Sequence, residues 1–148
     1  MPGNNSYCLS VWFWPKTLFK AGETMLNTQK VVAFVPTADT IKARSFYEGV
    51  IGLRVISEDR FALVLDANGT MLRVTKVENF KPQQFTILGW DVTDIDESVS
   101  DLNQRGIQFE NYSMAGQDER GIWKSPSGAR VAWFKDPDGN VLSLTQFA

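Results

Sequence analysis

The sequence predicts an α+β chain made of two tandem β-α-β-β-β modules, and two observations carry that prediction. A hairpin pattern occurs twice, over residues 129–147 around Asp136-Pro137-Asp138-Gly139-Asn140 and over residues 61–77 around Asp66-Ala67-Asn68-Gly69. In both, β-rich runs flank Asp, Asn and Gly, which supply the backbone angles of a tight reversal. At a separation of 70 residues Ala62 matches Ala132, Gly69 matches Gly139, Leu72 matches Leu142 and Thr75 matches Thr145. The second observation is a strand-then-helix pattern ahead of each hairpin, at a separation of 55: Val32 with Ile87, Asp39 with Asp94, Tyr47 with Leu102. The 15 residues between those separations fall between Tyr112 and Ala129. That stretch contains Gly, Ser and Asp and reads as a longer loop.

Residues 30–35 are β-branched and aromatic, and Pro36 stops them, so they form the first strand. Asp39 is an N-cap, and Ala43, Phe46, Tyr47 and Val50 recur at helical spacing as a buried stripe. Gly52 ends that helix, residues 53–56 form a strand, and the first hairpin completes the module. Residues 76–84, with Pro82, link the copies. The order then restarts with a strand over 85–92 and a helix opened by Asp94 and Glu97 as a capping box. Ile95, Ser98, Val99 and Leu102 carry its inner face, Gly106 closes it, and residues 107–112 read as a strand before the final hairpin. Module one thus covers about 30–78 and module two about 85–147 of a single domain, 30–147, behind an N-terminal arm, 1–29. In the arm, Trp12, Phe13, Trp14 and Phe19 are the packing candidates, residues 7–14 are too short an apolar run to span a bilayer, and Met25 reads as an alternative start.

Composition bounds the chemistry. The 148 residues are 43% hydrophobic and 22% charged with a net charge of −2, which gives no electrostatic reason to expect nucleic acid or an anionic membrane as partner. The lone Cys8 fits a cytoplasmic location. Histidine is absent from the chain, which excludes serine–histidine and cysteine–histidine catalysis and every histidine-ligated metal site.

The two modules in register, with Phe46-Tyr47 late in the first helix, Gly52-Leu53 after it and Asp-Pro-Asp-Gly-Asn in the last hairpin, resemble the vicinal oxygen chelate superfamily of glyoxalase I, bleomycin-resistance proteins and extradiol dioxygenases. The resemblance spans about residues 30–147. It implies cupped mixed sheets around a cleft, a homodimer, and, in the enzymes of the group, a divalent metal held from the first and last strands of each module. In this chain those positions correspond to Val32, Ile87, Arg73 and Ser143. Val and Ile have no lone pair to give, Arg repels a cation and Ser is weak alone, so no metal and no cofactor are expected.

Strand alternation selects the residues that face the cup. Leu88, Trp90 and Val92 belong under the helices, leaving Ile87, Gly89 and Asp91; Leu142 and Leu144 leave Val141, Ser143 and Thr145. The first hairpin likewise offers Met71, Arg73 and Thr75, and internal equivalence adds Val32, Phe34 and Pro36 from the first strand. With symmetric four-residue turns, Ala62 and Val64 oppose Arg73 and Met71, and Arg130, Ala132 and Phe134 face Thr145, Ser143 and Val141. The candidate ligand-binding residues are therefore Arg73, Phe34, Asp91, Phe134, Ser143, Arg130 and, as a mobile cover in the long loop, Trp123. Arg73 has two readings, a fork for a carboxylate or phosphate, or a salt bridge to Asp91 or a rim position. Arg130 shares that ambiguity. Asp136 and Asp138 are explained by turn chemistry. The function expected is binding or sequestration of a small anionic or planar molecule without metal. The alternative is an enzyme on the same scaffold with a metal-free or atypical site, in which Asp91 is the carboxylate available as a base.

Overall fold

Two four-stranded mixed sheets carry the fold of this computed structural model, which describes residues 26–148. Residues 31–148 form one compact unit. The described residues before it hold a 3-10 turn, Leu26–Thr28, closed by the Gln29 N–H donating to the Leu26 carbonyl at 3.0 Å. Cys8, the aromatic candidates of the arm and Met25 lie outside the described residues.

The first sheet contains β1 (Val32–Thr37), β2 (Arg54–Glu58), β3 (Ala62–Ala67) and β4 (Thr70–Lys76) in the order β1-β4-β3-β2, with β1 parallel to β4. The second contains β5 (Thr86–Asp91), β6 (Ile122–Lys124), β7 (Arg130–Lys135) and β8 (Val141–Gln146) in the order β5-β8-β7-β6, with β5 parallel to β8. The duplication read from the hairpins is thus the architecture.

Each parallel pair is joined by a crossover that begins with a helix. Helix α1 (Thr40–Arg44) starts where Asp39 Oδ1 accepts the N–H groups of Ile41 and Lys42, satisfying donors the first turn leaves free. It widens into a π turn, Ser45–Val50, in which the Ile51 N–H donates to the Phe46 carbonyl at 2.9 Å. Helix α2 (Ile95–Gln104) starts where Asp94 Oδ1 accepts the Glu97 N–H at 3.0 Å. Gly106, at φ +91°, ends it in a conformation that disfavours a side chain.

The helix-facing sides of both sheets share one core. Val35, Leu63, Leu65, Leu72 and Val74 meet Ala43 of α1 and Phe46 and Tyr47 of the π turn, and the same cluster continues through Ile95, Val99, Ala132, Phe134, Leu142 and Leu144. Polar bonds tie the modules together at one end of the seam between them. Tyr47 Oη donates to Asp136 Oδ2 at 2.8 Å, Asn140 Nδ2 donates to the Pro36 carbonyl at 2.8 Å, and Asp138 accepts the Thr37 hydroxyl at 2.6 Å and the Ala38 N–H at 2.9 Å. Asp136 shapes its own turn by accepting the Asp138 and Asn140 N–H groups. The acidic motif is therefore a structural clasp.

Two expectations about strands need correction. Residues 107–112 do not form a strand; they contribute the isolated Phe109–Phe134 bridge and a bond from the Glu110 N–H to the Trp133 carbonyl. The edge of β7 is completed by the presumed loop, which returns as β6 and pairs Ile122 with Ala132. The hairpin turns also differ from the symmetric pair expected. Ala67 pairs with Thr70 across Asn68-Gly69, a two-residue turn with φ of 51° and 87°, so Ala62 opposes Thr75 and Val64 opposes Arg73. In the second hairpin Lys135 pairs with Val141 across residues 136–140. That odd number inverts the parity of β7.

Candidate functional site

With the helices on one side of each sheet, the other side is open. In the first sheet it carries Val32, Phe34 and Pro36 beside Met71, Arg73 and Thr75, as internal equivalence and alternation predict. Phe34 is 62% exposed and lies opposite Arg73 in the register. The Arg73 side chain is 30% exposed, and its ion-pair partner is Asp59, at 3.8 Å, rather than Asp91. That contact, to Oδ2, is loose, and Asp59 Oδ1 accepts the N–H groups of Phe61 and Ala62 at 2.7 and 2.9 Å. Those bonds, with Arg73 a smaller contributor, keep the Asp59 carboxyl below its ordinary range. Two residues along the same strand, Thr75 Oγ1 is buried with no hydrogen-bond partner among the described residues. Arg73 thus offers donors that the protein leaves largely unused, whereas the Thr75 hydroxyl is sealed in.

The open side of the second sheet differs from expectation in three places. Because the turn is odd, Val131, Trp133 and Lys135 share the face of Thr145, Ser143 and Val141. Phe134, fully buried, stacks on Trp90 at 6.2 Å and meets Phe109 edge-on at 5.5 Å in the core. Arg130 likewise turns to the helix side, where two bonds of 2.6 and 3.0 Å join it to Asp96 of α2. The third difference is a bulge in β5: Thr86 pairs with Val141 and Leu88 with Leu142, so Ile87 falls between them and packs on the core. Thr86 takes its place on the face.

Trp133 is the aromatic that sequence reasoning missed. Its indole N–H donates to Thr86 Oγ1 at 3.1 Å, and Trp123 and Tyr112 stand 6.0 and 5.8 Å from its ring. Trp123 lies in β6, with its indole N–H donating to the Ala115 carbonyl at 3.1 Å, so it is an anchored wall rather than a mobile cover. Beside this wall the floor is small. Ser143 is buried between Trp133 and Gly89, and a Cβ on Gly89 would stand 2.6 Å from Ser143 Oγ. Asp91, at the end of edge strand β5, registers with Thr145 and also lines a cleft at the seam between the modules.

Of the residues singled out from sequence, the register places Arg73 beside Phe34 and Ser143 beside the Trp133–Trp123 wall. Phe134 and Arg130 go to the helix side. Among the described residues, no hydrogen bond, ion pair or ring contact between side chains joins the two open faces within one chain.

The model of the Glyoxalase/Bleomycin resistance protein/Dioxygenase superfamily matches residues 29–144, which contain both modules. The chain belongs to this superfamily. A bleomycin resistance determinant encoded on the transposon Tn5 has a similar solved fold, with a TM-score of 0.64 and 22% identity over 81% of this chain and 98% of that one. A superfamily member from Sphaerobacter thermophilus also has a TM-score of 0.64, with 24% identity over 82% of this chain and 99% of that one. Among curated proteins, the uncharacterized protein YraH of Bacillus subtilis is 28% identical over 121 residues, spanning 72% of this chain and 88% of its own.

The residues that the resemblance sets against a divalent metal are Val32, Arg73 and Ser143, with Thr86 on the face where Ile87 was expected. Hydroxyls and a guanidinium do not fit a divalent cation. Among the described residues no group of three or more Cys, Asp or Glu side chains converges to supply another ligand set. No helix among them is long and apolar enough to cross a membrane.

Proposed function

We propose that this superfamily member binds or sequesters a small molecule with a planar body and an anionic group, and does so without a metal. The observation that carries the reading is Arg73, a guanidinium on an open face beside exposed Phe34, with a single loose carboxylate contact. A guanidinium in a partly apolar setting favours a carboxylate or phosphate that can take two parallel hydrogen bonds. Trp133 and Trp123 offer a second flat surface for a ring, with Ser143 at its foot.

The reading includes a homodimer. Val32, Phe34 and Met71 form an exposed apolar set on the first sheet, and the two open faces make no side-chain contact with each other within one chain. A second copy, laying its Trp133 face over the Arg73 face, would cover the apolar set and close the ligand in. A cytoplasmic setting accords with the single cysteine.

A thermal-shift screen of aromatic carboxylates against the protein, Arg73→Ala and Trp133→Ala tests the proposal. Stabilisation of the parent that weakens about tenfold or more in apparent affinity in Arg73→Ala is expected. Equal binding to Arg73→Ala would make that residue structural. Stoichiometric divalent metal in protein purified without chelator would overturn the metal-free reading.

A further inference from the structure

The open face of the second sheet has a gap among its side chains at Gly89, and beside the gap stands a hydroxyl that the protein does not use. In the register Gly89, Ser143 and Trp133 lie side by side across β5, β8 and β7. Gly89 is exposed, and its φ is not positive, so the backbone does not require a glycine there. Space does. A Cβ at Gly89 would stand 2.6 Å from Ser143 Oγ, which lies over the gap. Ser143 is 6% exposed and takes part in no hydrogen bond among the described residues, yet its hydroxyl, unlike that of Thr75, is not sealed in. Buried hydroxyls ordinarily have a partner, so this one is aimed, unpaired, into a notch floored by bare backbone.

Trp133 walls the notch. Its backbone is on β7, but its indole N–H reaches Thr86 on β5 at 3.1 Å, so the ring crosses β8 above Val141, which registers with Thr86 and is 2% exposed. That bond, and the one from the Trp123 indole to the Ala115 carbonyl at 3.1 Å, spend both indole N–H groups inside the protein. A ring lying on this wall therefore meets aromatic faces without a donor, and the hydroxyl at the foot of the wall is that of Ser143. Lys135, in the row of Thr86, is held by Glu110 at 3.2 Å. Asp91 follows Gly89 by two residues on the same side of β5, which disfavours a second anionic group in the notch.

We propose that the Gly89–Ser143 notch takes a ring hydroxyl, so that the planar anionic ligand is a hydroxylated aromatic carboxylate with its ring against Trp133; this rests on the reading of that face as a ring-binding surface. A ring hydroxyl both donates to and accepts from Ser143 Oγ, and it fits the space that a side chain at Gly89 would fill.

Titration calorimetry on the full chain with 6-hydroxy-2-naphthoate and 2-naphthoate, two probes that differ by one hydroxyl, tests this. The hydroxylated probe is expected to bind the parent about threefold or more tightly than the plain one, and the ratio is expected to fall to about one in Ser143→Ala and in Gly89→Ala. The first variant removes the hydroxyl and the second fills the notch. A ratio near one in the parent, or one that persists in either variant, would overturn the inference, while weaker binding of both probes by Arg73→Ala would still support the anion-binding reading. A ratio that behaves as expected with both probes indifferent to Arg73→Ala would sink the anion-binding reading and leave the notch standing. Absence of saturation by both probes below about 10 mM would overturn both.

Discussion

Replacing Tyr47 with Phe removes one atom from the centre of the inter-module clasp. In the parent, Asp136 accepts four donors: Tyr47 Oη and Asn140 Nδ2 at 2.8 Å on Oδ2, and the N–H groups of Asp138 and Asn140 at 3.0 and 2.9 Å on Oδ1. Tyr47 is fully buried, so water does not replace its hydroxyl. A hydrogen bond to a carboxylate contributes roughly 1.5–3 kcal/mol. Because three donors remain on Asp136, Tyr47→Phe should cost about 2 kcal/mol rather than the larger penalty of an abandoned carboxylate. Urea denaturation at pH 7 reads this as a lower midpoint at unchanged m-value.

The same bond sets an alkaline limit. Burial, and secondly the Asp136 carboxylate, push the Tyr47 phenol well above its ordinary value. A raised folded-state pKa contributes stability that is complete below the unfolded value of about 10 and is lost as pH rises beyond it. The parent should therefore lose about 1.4 kcal/mol more per pH unit than Tyr47→Phe above pH 10. A Tyr47→Phe midpoint within about 0.5 kcal/mol of the parent, together with parallel alkaline limbs, would refute the idea that the clasp holds the modules together.

Other outcomes follow from the same geometry. Phe134→Ala should cost about 3–5 kcal/mol in urea denaturation, and Trp133→Ala distinctly less, because adjacent residues of β7 face core and solvent; the reverse order would contradict the parity of the strand. Asp96→Asn should flatten the acid limb of stability. The bonds from Arg130, then Arg120, hold the Asp96 carboxyl below its ordinary range, so its contribution is present above about pH 4 and is lost as pH falls further; parallel acid limbs would count against that ion-pair cluster. Thr75→Val should leave stability nearly unchanged or raise it slightly, since the buried hydroxyl has no partner to lose; a large drop in stability would reveal a hidden partner.

Legibility from the residues differed between the halves of the fold for physical reasons. β4 and β8 alternate between side chains of different size or polarity, so period-two reasoning orients Arg73 and Ser143, while Phe34 in the less patterned β1 is oriented by its equivalence to the second module. β7 reads Arg-Val-Ala-Trp-Phe-Lys, with apolar residues on both parities, and its orientation depends on counting through the turn. Assuming equal turns in both hairpins put Phe134 where Trp133 stands. The bulge that moves Ile87 into the core leaves no mark in composition.

The unequal turns have a consequence for how a doubled protein can change. Strand β7 keeps its residues and its neighbours, yet one residue more or less between Lys135 and Val141 decides which half of its side chains is sealed inside. Insertion or deletion in this turn acts like rewriting every position of a strand at once. The first module, with its two-residue turn, preserves the other solution. A chain carrying both can try a new interior in one copy while its sister maintains the old one. In such a scaffold, recognition can diversify by a change in loop length before any residue on the recognising face is replaced.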